Sequence, residues 1–309
     1  MLASVTLMIR PAAFGYNGET AANNFFQPRI QPGDSEKVQQ SALQEFDNMT
    51  RMLKSNGLDV LIIDDTPLPR KPSAVFPNNW LATSPEGKLF IFPMHAPNRR
   101  TEKRDDIIQR LLQQFIVADF QDWSEFETEG YFLEGTGSMV IDHENKIIYA
   151  CLSPRTSLPV LQKFAERNGY QAITFLAKDK NGKYIYHTNV LMCIGEGFAV
   201  LCAEAIDEEW ERIAVTQLLE STGHEIIRIS FDQLHFFAGN MLQLKNRSGS
   251  KLLVMSGAAY NALSEEQKQI LSVYTELLPV DIPVIEKTEG GSVRCMMAEI
   301  FLARRPEPI

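Results

Sequence analysis

The sequence predicts an α/β fold in which five similar units, each a β-hairpin followed by a helix and a strand, form one closed ring. Four segments repeat the order of a small polar residue, an apolar strand, a turn and a second apolar strand. A helical pattern and a further strand follow these segments. Lone strands at residues 3–11 and 293–303 would pair to complete the fifth hairpin. The alternative is an open mixed sheet with coincidental spacing.

The hairpins come first in each unit. Each joins two apolar runs through a turn rich in Gly, Asn or Asp, which is typical of hairpins. The hairpin segments are residues 78–94, 136–153, 187–205 and 238–256. Their polar residues align with a cysteine of the last segment at intervals of 59, 51, 51 and 55 residues: Asn79, Ser138, Asn189, Asn240 and Cys295. We therefore expect these five side chains to meet near a central axis.

Helices and strands complete each unit. Several helices carry start and stop signals, such as Asp207 before an acidic first turn and Gly223 after a last turn. The predicted helices cover residues 35–57, 101–115, 157–170, 206–223 and 262–278. The predicted strands after them cover residues 58–64, 115–120, 170–177, 224–231 and 280–286. Closure of the ring would remove open sheet edges.

Composition indicates a globular protein in a reducing cytoplasm. The length allows one large domain or two, and the closed ring predicts one catalytic domain, residues 1–309. The formal net charge of −9 argues against a nucleic-acid partner. The chain has no run of 18 apolar residues that would span a membrane, and its first residues fit a strand better than a signal peptide. Its four cysteines lack CxxC spacing, so neither a disulfide framework nor a zinc site is expected. A homo-oligomer is possible.

Three residue types in different units suggest a nucleophilic site. Cys295 supplies a thiol, His187 an imidazole and Glu134 a carboxylate. In such sites a thiolate attacks carbon, a histidine moves protons, and a carboxylate orients the histidine or holds substrate N–H groups. Alternatively, Glu134 only accepts backbone N–H groups at a turn. The remaining cysteines lie in strand patterns and are most simply small buried hydrophobic residues: Cys151, Cys193 and Cys202.

Several motifs resemble the guanidine-modifying enzyme superfamily, which includes arginine deiminases, dimethylarginine hydrolases and amidinotransferases. These motifs are L-E-G at 133–135, H-T-N at 187–189 and G-G-S-V-R-C-M at 290–296. Others look most like the amidinotransferase-like branch of citrulline-utilisation hydrolases: V-F-P-N-N-W at 75–80, N-R-R-T-E-K at 98–103 and S-P-R-T at 153–156. The resemblance implies the five-bladed pentein α/β-propeller. It also implies that Cys295 is the nucleophile, His187 the general acid/base and Glu134 a binding or orienting group.

Two departures from the superfamily pattern concern the head group of the substrate. Arginine-using members usually have carboxylates where this chain has Asn189 and Asn79, the latter beside Asn78. A guanidinium favours charged bidentate acceptors, whereas asparagine offers a neutral carbonyl and two N–H donors. The asparagines therefore favour a neutral ureido group, as in citrulline. Glu134 and Asp65 keep a guanidinium substrate possible.

The α-carboxylate at the other end of an amino-acid substrate requires positively charged side chains to bind it. Arginine binds carboxylates through two parallel hydrogen bonds. We expect Arg155 and one of Arg99 and Arg100 to hold the α-carboxylate, although solvated charges explain Arg99 and Arg100 equally well. Asn17 lies in a Gly- and Asn-rich loop, residues 14–26, that would cover the site as a lid. Arg294 either supports the thiolate or points away from it.

The sequence thus predicts a cysteine-dependent hydrolase that acts on the guanidino or ureido group of an amino acid related to arginine or citrulline. A protonated His187, or a cationic substrate, would favour the Cys295 thiolate. The alternatives are an amidinotransferase, a deiminase-type or dimethylarginine-type hydrolase, and a non-catalytic ring. Motifs for metal or phosphate binding are absent from the sequence, and this chemistry requires no cofactor.

Overall fold

The structure is a computed structural model that describes residues 1–21, 24, 26–27 and 35–306. Its strands form five small sheets of three strands each. The strands are β1 (Val5–Arg10), β2 (Asp59–Asp64), β3 (Leu81–Thr83), β4 (Lys88–Ile91), β5 (Asp119–Asp122), β6 (Val140–Asp142), β7 (Ile147–Cys151), β8 (Gln171–Phe175), β9 (Met192–Gly195), β10 (Phe198–Leu201), β11 (Glu225–Arg228), β12 (Leu242–Lys245), β13 (Lys251–Ser256), β14 (Glu276–Val280) and β15 (Ala298–Ile300).

All five sheets have the same topology. The middle strand pairs antiparallel with the first strand of its hairpin and parallel with the strand that follows the helix. The parallel pairing requires a crossover connection, which the helix supplies. The repeated hairpin–helix–strand unit and the α/β class are therefore confirmed.

The fifth sheet joins the two ends of the chain. Strand β1 pairs antiparallel with β15, with Leu7 opposite Ala298, and parallel with β2. Leu7 and Ala298 are both buried in one apolar cluster. The expected pairing of the terminal strands is thus confirmed.

The helices connect and cover the sheets. They are α1 (Gly18–Ala21), α2 (Ser35–Ser55), α3 (Asp105–Gln114), α4 (Gly135–Ser138), α5 (Leu158–Asn168), α6 (Thr188–Leu191), α7 (Glu209–Ser221), α8 (Phe231–His235), α9 (Gly257–Ala262), α10 (Glu265–Tyr274) and α11 (Pro283–Glu289). The five predicted helices correspond to α2, α3, α5, α7 and α10. Apolar positions at helical spacing bury one face, as in α2, where Ala42, Phe46, Met49 and Leu53 face the core. No helix in the described ranges is both long and apolar enough to cross a membrane.

Two predicted strands are corrected by the structure. The strand expected at 280–286 lies earlier, at Glu276–Val280, because Thr275 is extended and ends α10. Pro283 then starts a helix, since its ring presets the helical φ and its missing N–H costs nothing in a first turn. The strand expected at 115–120 is displaced to Asp119–Asp122.

Short helical turns precede the first hairpin strand in several units. Cys295 lies in such a turn, Val293–Met296, and not in the C-terminal strand where it was expected. The equivalent turn before β3 is Pro77–Asn79, and those before β6 and β9 are α4 and α6. Four of the five aligned residues therefore lie in short helical turns, and all four are buried: Asn79, Ser138, Asn189 and Cys295.

Neighbouring turns contact one another through hydrogen bonds. Asn78 Nδ2 donates to Thr136 Oγ1 at 3.2 Å, and Thr188 Oγ1 donates to the Ser138 carbonyl at 2.5 Å. Further bonds join the later units: Asn240 Nδ2 to the Asn189 carbonyl at 2.7 Å, and Arg294 N to Asn240 Oδ1 at 3.1 Å. The turn at Cys295 in turn contacts the turn at Pro77–Asn79. These contacts bring residues separated by long stretches of chain to one place.

Leu7→Ala tests the pairing of the terminal strands. Leu7 is fully buried, so loss of its side chain leaves a cavity between β1 and its neighbours. We expect the free energy of unfolding, measured by urea denaturation, to fall by about 2–5 kcal/mol. Leu68→Ala is the matched control, because Leu68 is 79% exposed and its loss changes stability by no more than about 0.5 kcal/mol. Equal unfolding curves for the two variants would contradict this packing.

Candidate active site

A buried carboxylate and imidazole form the centre of the site. Glu134 directly precedes α4 and His187 directly precedes α6, so two neighbouring turns hold them. His187 Nε2 lies 2.8 Å from Glu134 Oε2. The second carboxylate oxygen accepts the backbone N–H of His95 at 3.1 Å. Both side chains are almost completely shielded from solvent.

Two arginines neutralise the buried carboxylate. Arg155 Nη1 and Arg99 Nη1 lie 3.6 and 3.9 Å from Glu134 Oε2. Burial favours the neutral form of Glu134, but the Arg155 guanidinium, the hydrogen bond to His187 and the charge of Arg99 outweigh it and hold its pKa well below the usual value. Glu134 is therefore ionised at neutral pH.

The histidine beside Glu134 is neutral. Burial lowers the pKa of His187 to about 4, although the Glu134 carboxylate opposes this shift. Because an ionised Glu134 can only accept, the His187 proton resides on Nε2. This leaves Nδ1 as the ring nitrogen able to take up a proton. The resting site thus lacks the protonated His187 considered from the sequence.

The Cys295 thiol faces two asparagine side chains. Asn240 Nδ2 and Asn189 Nδ2 lie 3.4 and 3.6 Å from the sulfur. The orientation of Asn240 follows from its partners, since its Oδ1 accepts from Arg294 N and its Nδ2 donates to the Asn189 carbonyl. Amide N–H donors of this kind stabilise negative charge on sulfur.

The other three cysteines have no such environment. Burial in apolar strands raises the pKa of Cys151 and Cys193 to about 12 and that of Cys202 to about 11. They remain thiols at neutral pH and pack as small hydrophobic residues, consistent with the expectation from their strand patterns.

Cys295 and His187 line the same small cavity. Its volume is about 20 Å³, close to the space of one water molecule. Thr20 and Asn24, from the segment expected to act as a cover, lie in its wall. The rest of the wall is formed by Ser73, Phe76, Asn79, Arg99, Arg155, Tyr186, Glu289 and Gly291. The space between the described residues is therefore small, and residues 22, 23 and 25 of the predicted cover lie outside the described residues.

The structure brings several predicted substrate-binding residues to the cavity. Asn79, Arg99 and Arg155 line it, and Asn189 contacts the Cys295 sulfur. Asn78 lies behind the wall, where its Oδ1 accepts from Asn79 and its Nδ2 donates to Thr136.

Arg99 is largely engaged by protein groups. Its Nε and Nη2 donate to the two carboxylate oxygens of Glu102 at 2.9 and 2.8 Å, and its Nη1 donates to Asn79 Oδ1 at 2.8 Å. The two guanidinium N–H groups of Arg99 that could bind a substrate carboxylate side by side are therefore occupied by Glu102. Arg155 differs, because it lies over the Tyr186 ring at 4.5 Å and donates to the Thr20 carbonyl in the covering segment.

Three further predicted substrate-binding residues also lie outside the cavity wall and bind other protein groups. Arg100 donates to the carbonyls of Met94 and His95 and lies 3.6 Å from Glu127. Asp65 pairs with buried Lys71 at 3.2 Å. Asn17 donates to Ser73 Oγ at 2.9 Å, and this hydrogen bond joins the covering segment to the cavity wall.

Sequence reasoning missed Glu289, Tyr186, Ser73 and Phe76. Glu289 directly precedes the two glycines of the G-G-S-V-R-C motif, and this proximity was the available signal. Tyr186 directly precedes His187 in the sequence. Their role depends on contacts between distant segments, such as Tyr186 OH to the Gly290 carbonyl at 2.7 Å.

Two glycines of the E-G-T-G motif allow the close packing of the site. Gly135 has φ +47°, and a Cβ there would lie 2.3 Å from the Asn78 carbonyl oxygen. A Cβ on Gly137 would lie 2.5 Å from Asn79 Nδ2 and 2.8 Å from His187 Nδ1. Any side chain at Gly137 would displace one of these two groups.

A larger cavity of about 520 Å³ lies away from the three candidate catalytic groups. It is lined by the turns of several hairpins, and of the predicted site residues only Asn189 reaches it. Arg294 also lines it and pairs with Glu299 at 2.9 Å, so this arginine points away from the cavity that holds the sulfur.

The described part of the chain contains no cluster of three or more His, Cys, Asp or Glu side chains that could hold a metal ion.

A thiol and an imidazole that line one cavity, with a carboxylate bonded to the imidazole, are the groups of nucleophilic enzymes. The chain belongs to the family described as N,N dimethylarginine dimethylhydrolase, eukaryotic, whose profile matches residues 10–302. The resemblance to guanidine-modifying enzymes is thus confirmed. No curated protein is significantly similar to the chain.

Solved structures share the fold at low sequence identity. ArgZ, an arginine dihydrolase from the ornithine–ammonia cycle in cyanobacteria, is 15% identical with a TM-score of 0.71; the match covers 99% of this chain and 41% of ArgZ. The chain therefore spans about two fifths of that protein. The N-terminal domain of ArgZ bound to substrate is 14% identical (TM-score 0.71), covering 96% of this chain and 97% of that domain. A cysteine-to-serine mutant of DDAH from Pseudomonas aeruginosa complexed with citrulline is 15% identical, with a TM-score of 0.63. That match covers 97% of this chain and 100% of the DDAH chain.

Titration of His187 tests the electrostatics of the site. In ¹⁵N-histidine NMR spectra we expect its ring to remain neutral down to about pH 5 and to protonate near pH 4, because burial disfavours the imidazolium. The unfolded residue binds its proton near 6.5, so this group alone lowers stability as the pH falls from 6.5 towards 4. A His187→Gln variant assigns the signal. A midpoint at or above 6.5 would contradict the described burial.

Proposed function

We propose that this chain is a cysteine-dependent hydrolase that cleaves a C–N bond in the guanidino or ureido group of an amino acid related to arginine or citrulline. One observation carries the proposal: Cys295 and His187 line one buried cavity, with Glu134 bonded to the imidazole. Membership of a family of guanidino hydrolases supports the reaction type.

In the first step, the Cys295 sulfur attacks the central carbon of the head group. His187 Nδ1 takes the thiol proton, and the side-chain N–H groups of Asn189 and Asn240 stabilise the charge that develops on sulfur. The S–C bond forms, the C–N bond breaks, and His187 gives its proton to the departing nitrogen. Glu134 stabilises the imidazolium between the two proton transfers.

In the second step, water hydrolyses the covalent adduct. His187 takes a proton from water, the resulting hydroxide adds to the carbon, and the S–C bond breaks. The Cys295 thiolate then regains the proton from His187. For a ureido substrate the adduct is a carbamoyl thioester and the product a carbamate, so all protons and bonds balance without a further reactant.

The polar groups around the nucleophile favour a neutral head group. Among the described residues, asparagine amides and no carboxylates contact the sulfur, and Asn79 already accepts from Arg99. Glu134 has two arginine neighbours, so it has little capacity to balance a third cation. A ureido group accepts and donates hydrogen bonds without adding charge, and is therefore the preferred head group.

At the other end of the substrate, Arg155 binds the α-carboxylate. Its partner Thr20 belongs to the segment that covers the cavity. The cavity of about 20 Å³ is too small for an amino acid, so Thr20 and Asn24 move aside when substrate enters. That movement releases the Thr20 carbonyl and lets Arg155 donate to a carboxylate instead.

The proposed enzyme is one catalytic domain, residues 1–309, with its five sheets arranged as a closed five-bladed propeller. The contacts between successive turns and the pairing of β1 with β15 support this arrangement. Sharing of the site among units explains why Cys295, His187 and Glu134 come from distant parts of the chain.

Product analysis tests the proposed reaction. The protein is incubated with citrulline, arginine and methylated arginines, with and without glycine, and the release of ornithine, ammonia and citrulline is measured. We expect hydrolysis of citrulline at least about tenfold faster than that of arginine by kcat/KM, because the head-group site is neutral. Glycine is expected to have no effect on the products.

Cys295→Ser is the matched control for that measurement. The exchange preserves the shape of the side chain, and we expect turnover to fall by at least about 10³-fold, because the nucleophile is lost. Turnover like that of the unaltered protein would contradict the role of Cys295. An arginine preference would contradict the neutral head group, and a glycine adduct would identify a transferase.

A further inference from the structure

Glu289 is a buried carboxylate in the cavity that the mechanism above does not use. It ends α11, directly before the turn at Gly290 and Gly291, and is 3% exposed. A Cβ on Gly290 would lie 2.6 Å from the backbone of Phe26, so this turn packs tightly against the covering segment. Glu289 thus lies where the cavity wall meets its cover.

Neutral groups surround the Glu289 carboxylate. Ser73 Oγ donates to Oε2 at 2.5 Å, Gln27 Nε2 donates to Oε1 at 3.3 Å, and the Asn17 backbone N–H also donates to it. Among the residues that the structure describes, no Lys, Arg or His nitrogen lies within 4.0 Å of this carboxylate. Every other carboxylate of the cavity region has such a partner: Glu134 with Arg99 and Arg155, and Glu102 with Arg99.

A buried carboxylate without a counter-ion is costly. Burial raises the pKa of Glu289 to about 7, with Ser73 and Arg99 opposing the shift and Glu102 adding to it. Tyr186 is the other titratable group that faces it. A cation that enters the cavity would remove this cost, and the position of Glu289 therefore suits a positively charged part of a ligand.

We propose that Glu289 binds the α-ammonium group of the amino-acid substrate and so selects amino acids over compounds that lack this group. The inference rests on the proposed function. Arg155, in the same cavity wall, takes the carboxylate, so the two side chains recognise both charges of a zwitterion. The neutral partners of Glu289 are Asn17 of the covering segment and Gln27, which directly follows that segment. They give way to the ammonium when substrate enters.

The experiment compares two substrates that differ only in the ammonium group: citrulline and 5-ureidopentanoate. In Glu289→Gln, we expect kcat/KM to fall about 10- to 100-fold for citrulline, because a charge-assisted hydrogen bond is lost. For 5-ureidopentanoate we expect a change of no more than about threefold. Gln27→Ala is the matched control, since it removes a contact with Glu289 but leaves the carboxylate, and it affects both substrates alike.

Equal losses on the two substrates in Glu289→Gln would overturn the proposal and assign Glu289 to holding the cover. Absence of turnover of either compound and of their guanidino counterparts by the unaltered protein would contradict the proposed function as well. The two failures are therefore distinguishable.

A second measurement does not depend on the folding of Glu289→Gln. Calorimetry of Cys295→Ser in buffers of different ionisation enthalpy counts protons exchanged on binding. Near pH 7 we expect citrulline to release protons, because the ammonium ionises a partly protonated Glu289, and 5-ureidopentanoate to release none. Equal proton exchange for both ligands would contradict an ammonium site at Glu289.

Discussion

The negative charge of Glu134 in a fully buried position is the constraint on which the site depends. An uncompensated charge of this kind would cost several kcal/mol, and breaking a buried pair by removing one partner typically costs about 3–5 kcal/mol. Here Arg99, Arg155 and His187 supply the compensation. These partners come from different units of the repeat, so the carboxylate is stable only when the units are assembled. Folding of the domain and formation of the site are therefore coupled.

The same charge arrangement determines the chemistry available to His187. Two arginines near Glu134 and complete burial keep the imidazole neutral, while the carboxylate fixes its tautomer. A neutral imidazole is a base, so the ring is prepared to accept a proton from a thiol or from water. The thiol is contacted by Asn189, which lies in the turn that His187 precedes, and by Asn240 of the following unit. One turn therefore contributes to the positions of both the base and the nucleophile.

The repeat and its principal residues could be predicted from the sequence, because hairpin spacing and equal phase are local patterns. That pattern placed Asn79, Asn189, Asn240 and Cys295 at one level, and the structure brings all of them to the site region. The partner that each charged side chain binds could not be predicted from the sequence. Arg99 and Arg100 are adjacent in sequence, yet the 3₁₀ turn at Pro97–Glu102 directs one to Glu134 and the other to Glu127. Asp65 is engaged by Lys71, and Glu289 acquires its place only through the fold; both contacts depend on tertiary packing that no local pattern encodes.

The central claim is that Cys295 bonds covalently to the head-group carbon of the substrate inside this buried site. The most direct measurement uses citrulline and arginine labelled with ¹⁴C at that carbon, rapid acid quenching during turnover, and peptide mapping of the protein. The account predicts label on the peptide that contains Cys295, with none on peptides that contain Cys151, Cys193 or Cys202. Turnover of both compounds without label on the Cys295 peptide, or with label on another cysteine, would contradict it.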